Sequence, residues 1–331
     1  MTDRHVQRAV RGSSALWFTV ATLLLLGALA LGVMIGPAGN WGTASWNIIW
    51  HVRMPRVVLA GVVGAMLSVA GASYQGVFRN PLVDPYLLGV AAGAGLGATI
   101  VFAIGRSSTT GWWIDPLPLA AFVGGSLAVL VTYLVGASFG AGRSGVTLVL
   151  AGVAVTSLAT AIQAFVLQRN NDVIREVYGW ILGRLTVASW GDVRLVLPYV
   201  VVSTVVLLAH RRHLDVLRVG DDEAAALGTQ VRRVRLVVVV AATLGTAAVV
   251  SVSGLIGFVG IVVPHVVRLV AGASYRRVLP LSLLLGATFL ILVDIPGRVL
   301  QDPAETPIGV VTAFFGAPFF ILLLRTRRAP S

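Results

Sequence analysis

GDDEAAALGTQVRRVRL, residues 220–236, is a short charged and small-residue segment set between apolar runs near 195–209 and 236–256. So polar an insert between such apolar neighbours reads as a loop on one side of a membrane, with the character of a handle for a partner. Working outward from it, further apolar runs recur near 15–35, 56–77, 86–105, 116–138, 146–168, 258–271, 278–297 and 307–324. Together these make about ten spans, because a hydrocarbon core of ~30 Å takes about 20 helical residues. Of the 331 residues, 57% are apolar and 11% charged, against roughly 25% charged in a soluble domain. The expected fold is an all-α polytopic membrane protein forming one membrane domain over 1–331. Residues 1–14 are read as a cytoplasmic N-terminal segment, 211–235 as a cytoplasmic loop and 325–331 as a cytoplasmic tail. The runs near 195 and 258 are short and are expected to be tilted, broken or partly re-entrant. Gly254, Gly257, Gly260 and Pro264 supply break points, tolerated only where protein or water covers the freed backbone.

What the chain lacks narrows its chemistry. It has no cysteine, which removes disulfides, thiolate metal sites and a cysteine nucleophile. All 25 basic residues are arginine, so neither a Walker A phosphate loop nor Schiff-base chemistry can be built. If nucleotide energy drives this protein, another chain supplies it. The net charge of +12 follows the rule that arginine collects in cytoplasmic loops and does not indicate nucleic-acid binding. With both termini inside, sixteen arginines from Arg4 to Arg328 fall on the cytoplasmic side and eight on the other, with Arg268 at a helix end. The first span, about 21 residues, exceeds the 7 to 15 of a signal-peptide core and is read as a retained helix.

Several motifs carry plain structural readings. Gly89, Gly93 and Gly97 recur at the spacing that lets two helices approach closely, within one subunit rather than at a dimer seam. Gly136 to Gly140 matches a nucleophile-elbow pattern around Ser138 but follows an apolar span rather than a strand. His210 and His213 have no nearby ligands at zinc spacing. Asp294 is the one acid inside an apolar span, where a carboxylate is a functional candidate by default. Arg298, one helical turn later, makes a local ion pair the better reading.

Arg53-Met-Pro-Arg56, Gly71-Ala-Ser-Tyr-Gln75-Gly, Arg79-Asn80-Pro81-Leu-Val-Asp84-Pro85 and Leu88-Gly-Val are followed by Trp180-Ile-Leu-Gly183 and by Gly220 to Arg235. Gly257-Phe-Val-Gly-Ile-Val-Val-Pro264-His265-Val-Val-Arg268, Pro307-Ile-Gly-Val-Val-Thr312 and Gly316-Ala-Pro318 complete the series. In this order and spacing, from about residue 50 to 325, the blocks resemble the FecCD-type permeases. These are the membrane subunits of ABC importers for ferric siderophores, haem and cobalamin.

The resemblance implies ten helices per subunit and a homodimer, or a pair with a paralogous permease, around a central pathway. It also implies two cytoplasmic ATPase subunits and one extracytoplasmic substrate-binding protein. It further implies that the chain is no enzyme and carries no cofactor, ATP and Mg being bound by the ATPase. The implied location is the cytoplasmic membrane and the implied cargo a metal chelate, a ferric siderophore first. Within the 211–235 loop, residues 220–228 are expected to form a coupling helix on the ATPase. In this segment, which begins at Gly220, Asp221, Asp222 and Glu223 would lie near the positive N-terminal end, Ala224, Ala225 and Leu227 would pack into the ATPase cleft, and Gly228 would end the helix. Arg79, Asn80, Pro81, Asp84 and Pro85 follow the second span as a stiff inner gate, a hinge or a plain rigid connection. Arg53, Arg56 and Arg298, at the outer ends of their helices, are expected to dock acidic residues of the binding protein. One departure is Arg184, where the family commonly has Ser after the Trp-x-x-Gly block. The rival reading, a proton-coupled secondary transporter, would need ionisable relays or inverted repeats, and only Asp294 qualifies.

Overall fold

A computed structural model describes residues 14–36, 45–105, 115–138, 145–300 and 305–326. The terminal segments, the tail beyond 326, Phe139 and Gly140 of the nucleophile-like motif, and Arg106 and Arg143 lie outside them. Among the described residues seven helices are long and apolar enough to cross a membrane: α1 (Ser14–Met34), α2 (Trp46–Val77), α4 (Pro116–Ser138), α5 (Gly145–Arg169), α7 (Trp190–Ala209), α10 (Val231–Ser253) and α12 (Tyr275–Val299). Three shorter apolar helices, α3 (Val90–Ala103), α11 (Val259–Ala271) and α13 (Ile308–Thr326), bring the apolar helices to ten. The small helices α6 (Ile174–Ile181), α8 (Arg211–Leu217) and α9 (Asp221–Ala226) lie between spans.

Burial sorts the helices into centre and perimeter. The most apolar window of α2 is 83% buried and that of α10 is 78%, against 17% for α1 and for α5. Accordingly α2 is the hub and packs on α7, α10, α11 and α12, while α3, α4 and α5 pack on one another alongside. The perimeter helices keep exposed leucine, valine and phenylalanine, including Leu24, Leu150 and Phe165, as surfaces bathed in lipid chains do.

Small residues set the closeness of the central crossings. A Cβ on Gly71 would stand 2.2 Å from Gly260 O, and one on Gly64 2.2 Å from Gly286 O, so α2 touches α11 and α12 backbone to backbone. Gly93 meets Gly124 O and Gly97 meets Ala120 O in the same way. The glycine series in the third span therefore packs α3 against α4 inside the chain, while Gly89, at φ 91°, precedes the helix.

Two expectations about the short spans are corrected. The run near 195 is part of a full-length helix: Ser189 and Asp192 form a reciprocal capping box that starts α7 at Trp190. Its polar first turn had hidden the span. The run near 258 is short, at 13 residues, but Gly260 and Pro264 lie inside α11. The break falls at 254–258, where Gly254 and Phe258 both adopt φ 69°. The third span also starts late, at Val90, because residues 78–89 turn through Asx bonds: Asn80 Oδ1 accepts from Leu82 N at 3.0 Å and Asp84 Oδ1 from Tyr86 N at 2.8 Å.

Candidate functional site

The residues singled out in the sequence assemble at the two ends of α2. Arg56 and Arg79 are separated by about 35 Å at the helical rise of 1.5 Å per residue, so the two groups act on opposite sides of the bundle.

At the Arg79 end stands α9. Gly220 opens it at φ 135°, with Glu223 Oε2 only 1.9 Å from where a Cβ would sit. It closes in a Schellman arrangement: Thr229 N donates to Ala224 O at 3.0 Å, Gly228 N donates to Ala225 O at 2.9 Å, and Gly228 takes φ 80°. The helix proper is Asp221–Ala226, shorter than the expected 220–228 because each glycine lies in a cap rather than in the helix. Ala224 is buried in the chain's own core, which corrects the reading that it faces a partner. Ala225, Ala226 and Leu227 are exposed, Leu227 at 70%.

The acidic start of α9 is tied to two other elements. Arg235 Nη2 of α10 donates to both oxygens of Asp221, at 3.0 and 3.2 Å, and Arg79 Nη2 lies 3.4 Å from Asp221 Oδ1. Arg79 follows α2 at φ 51°, a conformation that a non-glycine residue seldom adopts. The expected gate loop and the expected coupling helix are therefore in direct contact. Asp84 and Pro85 sit deeper: a Cβ on Gly260 would meet Pro85 Cδ at 2.5 Å, and Gln75 Nε2 donates to Val83 O and Gly260 O. Nearby, Asp215 accepts from Ser274 Oγ at 2.8 Å and from Tyr275 N at 2.7 Å, and Arg218 Nη1 donates to Ala273 O at 3.0 Å, stapling α8 to the start of α12.

At the other end Arg53, Arg56 and Arg298 do come together, but turned inward, with 4%, 7% and 2% exposure. Arg56 Nε and Nη2 each donate to Asp294 at 2.9 Å, and Arg56 Nη1 reaches Glu305 at 2.7 Å. Arg298 Nε donates to Asp294 Oδ2 at 2.7 Å, its Nη2 also bonds that oxygen, and its Nη1 donates to Gly32 O at 2.8 Å. Arg53 donates to Val33 O and Met34 O at 3.1 Å. Two arginines thus satisfy carbonyls at the C-terminal end of α1, where a helix leaves its last acceptors unmet. The local pair Asp294–Arg298 exists as read, but Arg56 belongs to it too. A contact across 238 positions carries no local sequence signal. An exposed basic patch is not what the chain presents here, because its own carboxylates and carbonyls hold the guanidinium groups. At this end of α2, Trp46 stacks on Trp50, which meets Trp190 at a tilt, with Trp190 Nε1 donating to Trp50 O at 2.9 Å, a composition typical of a membrane–water boundary.

A third feature had no prior reading. Three sequence blocks far apart in the chain meet at one point: Gly309 N donates to Leu182 O at 2.9 Å and Arg184 N to Ser253 O at 2.8 Å. A Cβ on Gly254 would strike Trp180 O at 2.1 Å. Beside this knot, Leu182, Val310, Ala313, Phe314, Ala317 and Pro318 line an open, almost wholly apolar groove of about 510 Å³. Arg184, the departure noted above, is half-buried and takes part in the knot through its backbone.

The comparisons agree with this geometry. The FecCD transport family profile matches residues 15–326. The chain is 41% identical to the uncharacterized ABC transporter permease protein YvrB of Bacillus subtilis, over 87% of this chain and 82% of that one. It is 42% identical to the cobalamin import system permease protein BtuC of Halobacterium salinarum, over 85% and 74%. To the hemin transport system permease protein HmuU of Yersinia pestis it is 35% identical, over 93% and 94%. A solved structure described as an inward-facing metal-chelate type ABC transporter superposes with a TM-score of 0.85 at 29% identity, covering 95% of this chain and all of that one. A hub helix crossed backbone to backbone, a capped charged helix between spans and signature blocks in contact stand together with a profile match over nearly the whole chain: this protein belongs to the FecCD transport family, as a multi-pass permease subunit of the ABC importers and not an enzyme.

Proposed function

We propose that the chain forms, with a second permease copy, the translocation pathway for a metal chelate delivered by an extracytoplasmic binding protein. Two separate ATPase subunits would hold ATP and Mg, and the chain itself would carry no cofactor. Relatives are named for cobalamin, ferric hydroxamate, hemin and ferric dicitrate. Three of these four cargoes are iron chelates, and a ferric siderophore is our leading assignment. The observation that carries the reading is the contact of Asp221, on the exposed α9, with Arg79, on the loop closing α2. A push on α9 from an ATPase would be passed to a stiff loop at the mouth of the pathway. On this reading α9 and both termini lie in the cytoplasm, with Ala225, Ala226 and Leu227 as the contact face. The apolar groove along α13 is our candidate for the pathway wall, since a large chelate crosses most easily past surfaces that bind it weakly.

The end bearing Arg53, Arg56 and Arg298 would receive the binding protein. Glu305, 24% exposed, would hold Arg56 until a partner carboxylate replaces it. A proton-coupled mechanism is disfavoured because both oxygens of Asp294 are occupied by arginine. The deciding experiment reconstitutes the chain with its ATPase and binding protein and replaces Ala225 with Trp. ATP-driven uptake should be lost while binding-protein docking persists; normal uptake by that variant refutes α9 as the coupling element.

A further inference from the structure

We propose that the cavity bounded by Gln75, Arg79, Pro81, Arg218, Arg268 and Tyr275 is a binding site for a phosphate group. The cavity, about 260 Å³, lies at the α9 end between the loop after α2 and the C-terminal turn of α11. It does not overlap the apolar groove on α13 and does not depend on which chelate is carried.

Arg268 is the central observation. Its Nη1 and Nη2 are shielded from solvent and have no hydrogen-bond acceptor among the described residues. Its recorded neighbour is the face of Tyr275, 5.8 Å from guanidinium carbon to ring centroid. A cation over a ring at that distance recovers less than a buried guanidinium loses when its donors are left unmade, so the side chain is short of an acceptor. The surroundings are positive as well. Arg79 and Arg218 line the same cavity, and Arg277 Nη2 lies 3.1 Å from the Cβ position of Gly272. The nearby carboxylates are committed elsewhere: Asp215 to Ser274 and Tyr275, with Arg218 Nη1 3.9 Å away, and Asp221 to Arg235 and Arg79.

The choice of phosphate over other anions comes from Gln75. Its Nε2 is used twice, but its Oε1 is buried and accepts nothing. A guanidinium fork suits carboxylate, sulfate or phosphate. Of these, hydrogen phosphate alone also brings an O–H donor for Gln75 Oε1 at neutral pH. Such a ligand would bridge the loop after α2 to the segment leading into α9, and so stiffen the contact between them.

The test uses the full-length chain, purified in nonionic detergent, with thermal unfolding followed as inorganic phosphate is titrated at constant ionic strength. Saturable stabilisation by several degrees is expected, with sulfate binding at least tenfold more weakly and chloride giving none. Arg268→Gln should abolish the response, and Arg218→Gln, at a half-exposed position, should weaken it about tenfold. Two sources of the phosphate group are separated by adding phosphatidic acid, a phosphomonoester that keeps an O–H: competition with inorganic phosphate, together with lipid retained in native mass spectrometry by the wild type but not by Arg268→Gln, assigns a lipid headgroup. Absence of competition assigns a soluble phosphate. The proposal is overturned if phosphate gives no saturable shift, or if both variants respond as the wild type does. It is also overturned if Arg268→Gln loses only ATPase binding, which would make the missing acceptor a protein carboxylate.

Discussion

Replacing Asp294 with Asn tests the inward cluster directly. The carboxylate receives both Nε and Nη2 of Arg56 and both Nε and Nη2 of Arg298, so two guanidinium groups converge on one acid. With Glu305, the two arginines and two acids of this group sum to zero charge. Asn removes the charge while keeping the shape, leaving a net positive charge in a site where Arg298 and Asp294 are both 1% exposed at the side chain. Its Oδ1 can still accept two bonds, but its Nδ2 turns donors toward donors. Removing one partner of a buried ionic group costs about 3–5 kcal/mol, a large part of the roughly 5–15 kcal/mol that holds a protein folded. Adding Arg298→Gln to Asp294→Asn restores neutrality, and the pair should recover about 2 kcal/mol relative to additivity. Denaturant unfolding of the purified chain in micelles measures both quantities, and salt should leave them unchanged because the site is dry. A cost below about 1 kcal/mol for Asp294→Asn, or strict additivity in the double variant, would refute the reasoning.

Gly71→Ala places a methyl 2.2 Å from Gly260 O; it should separate α2 from α11, break the Gln75 bond to that oxygen, and lower stability by about 1–3 kcal/mol in the same unfolding assay. Gly228→Ala meets nothing within 4 Å but must hold φ 80°, so it should cost about 1 kcal/mol through backbone strain alone and raise hydrogen exchange in α9 without changing exchange in α2. Glu305→Gln should release Arg56 and speed association with the binding protein in surface-plasmon kinetics, by a factor that shrinks as salt rises; unchanged association rates count against docking at that end.

Much of this architecture was readable in the chain. The apolar runs marked the ten apolar helices found among the described residues, and Gly228 was read as the end of α9, whose helical part is Asp221–Ala226. What the sequence could not show was distance in space. Arg56 was assigned to an outer surface because nothing near it in the chain is acidic, whereas its partners are 238 and 249 positions away. Ala224 looked like its neighbours and differs only in the face of a six-residue helix on which it falls. The start of α7 was obscured because Ser189, Gly191, Asp192 and Arg194 break the apolar pattern until the capping box is seen. The knot joining Leu182, Ser253 and Gly309 uses backbone atoms, which leave little trace in residue type beyond the glycines.

The glycine crossings have a consequence for motion. Where two helices interlock through side chains, moving one past the other means lifting every ridge out of its groove, so such contacts favour discrete states. At Gly71–Gly260 the backbones meet with no side chain between them, whereas Ser68 and Leu290 pack beside the Gly64–Gly286 contact. Relative travel of α2 against α11 would be opposed at the Gly71–Gly260 crossing mainly by peptide dipoles sliding over one another, a shear. Gly254 and Phe258, both at φ 69°, leave α11 joined to α10 by a jointed link in place of a continuous rod. The crossing of α2 with α11 would in this sense serve as a bearing, its ease of sliding set by the absence of side-chain atoms at one point.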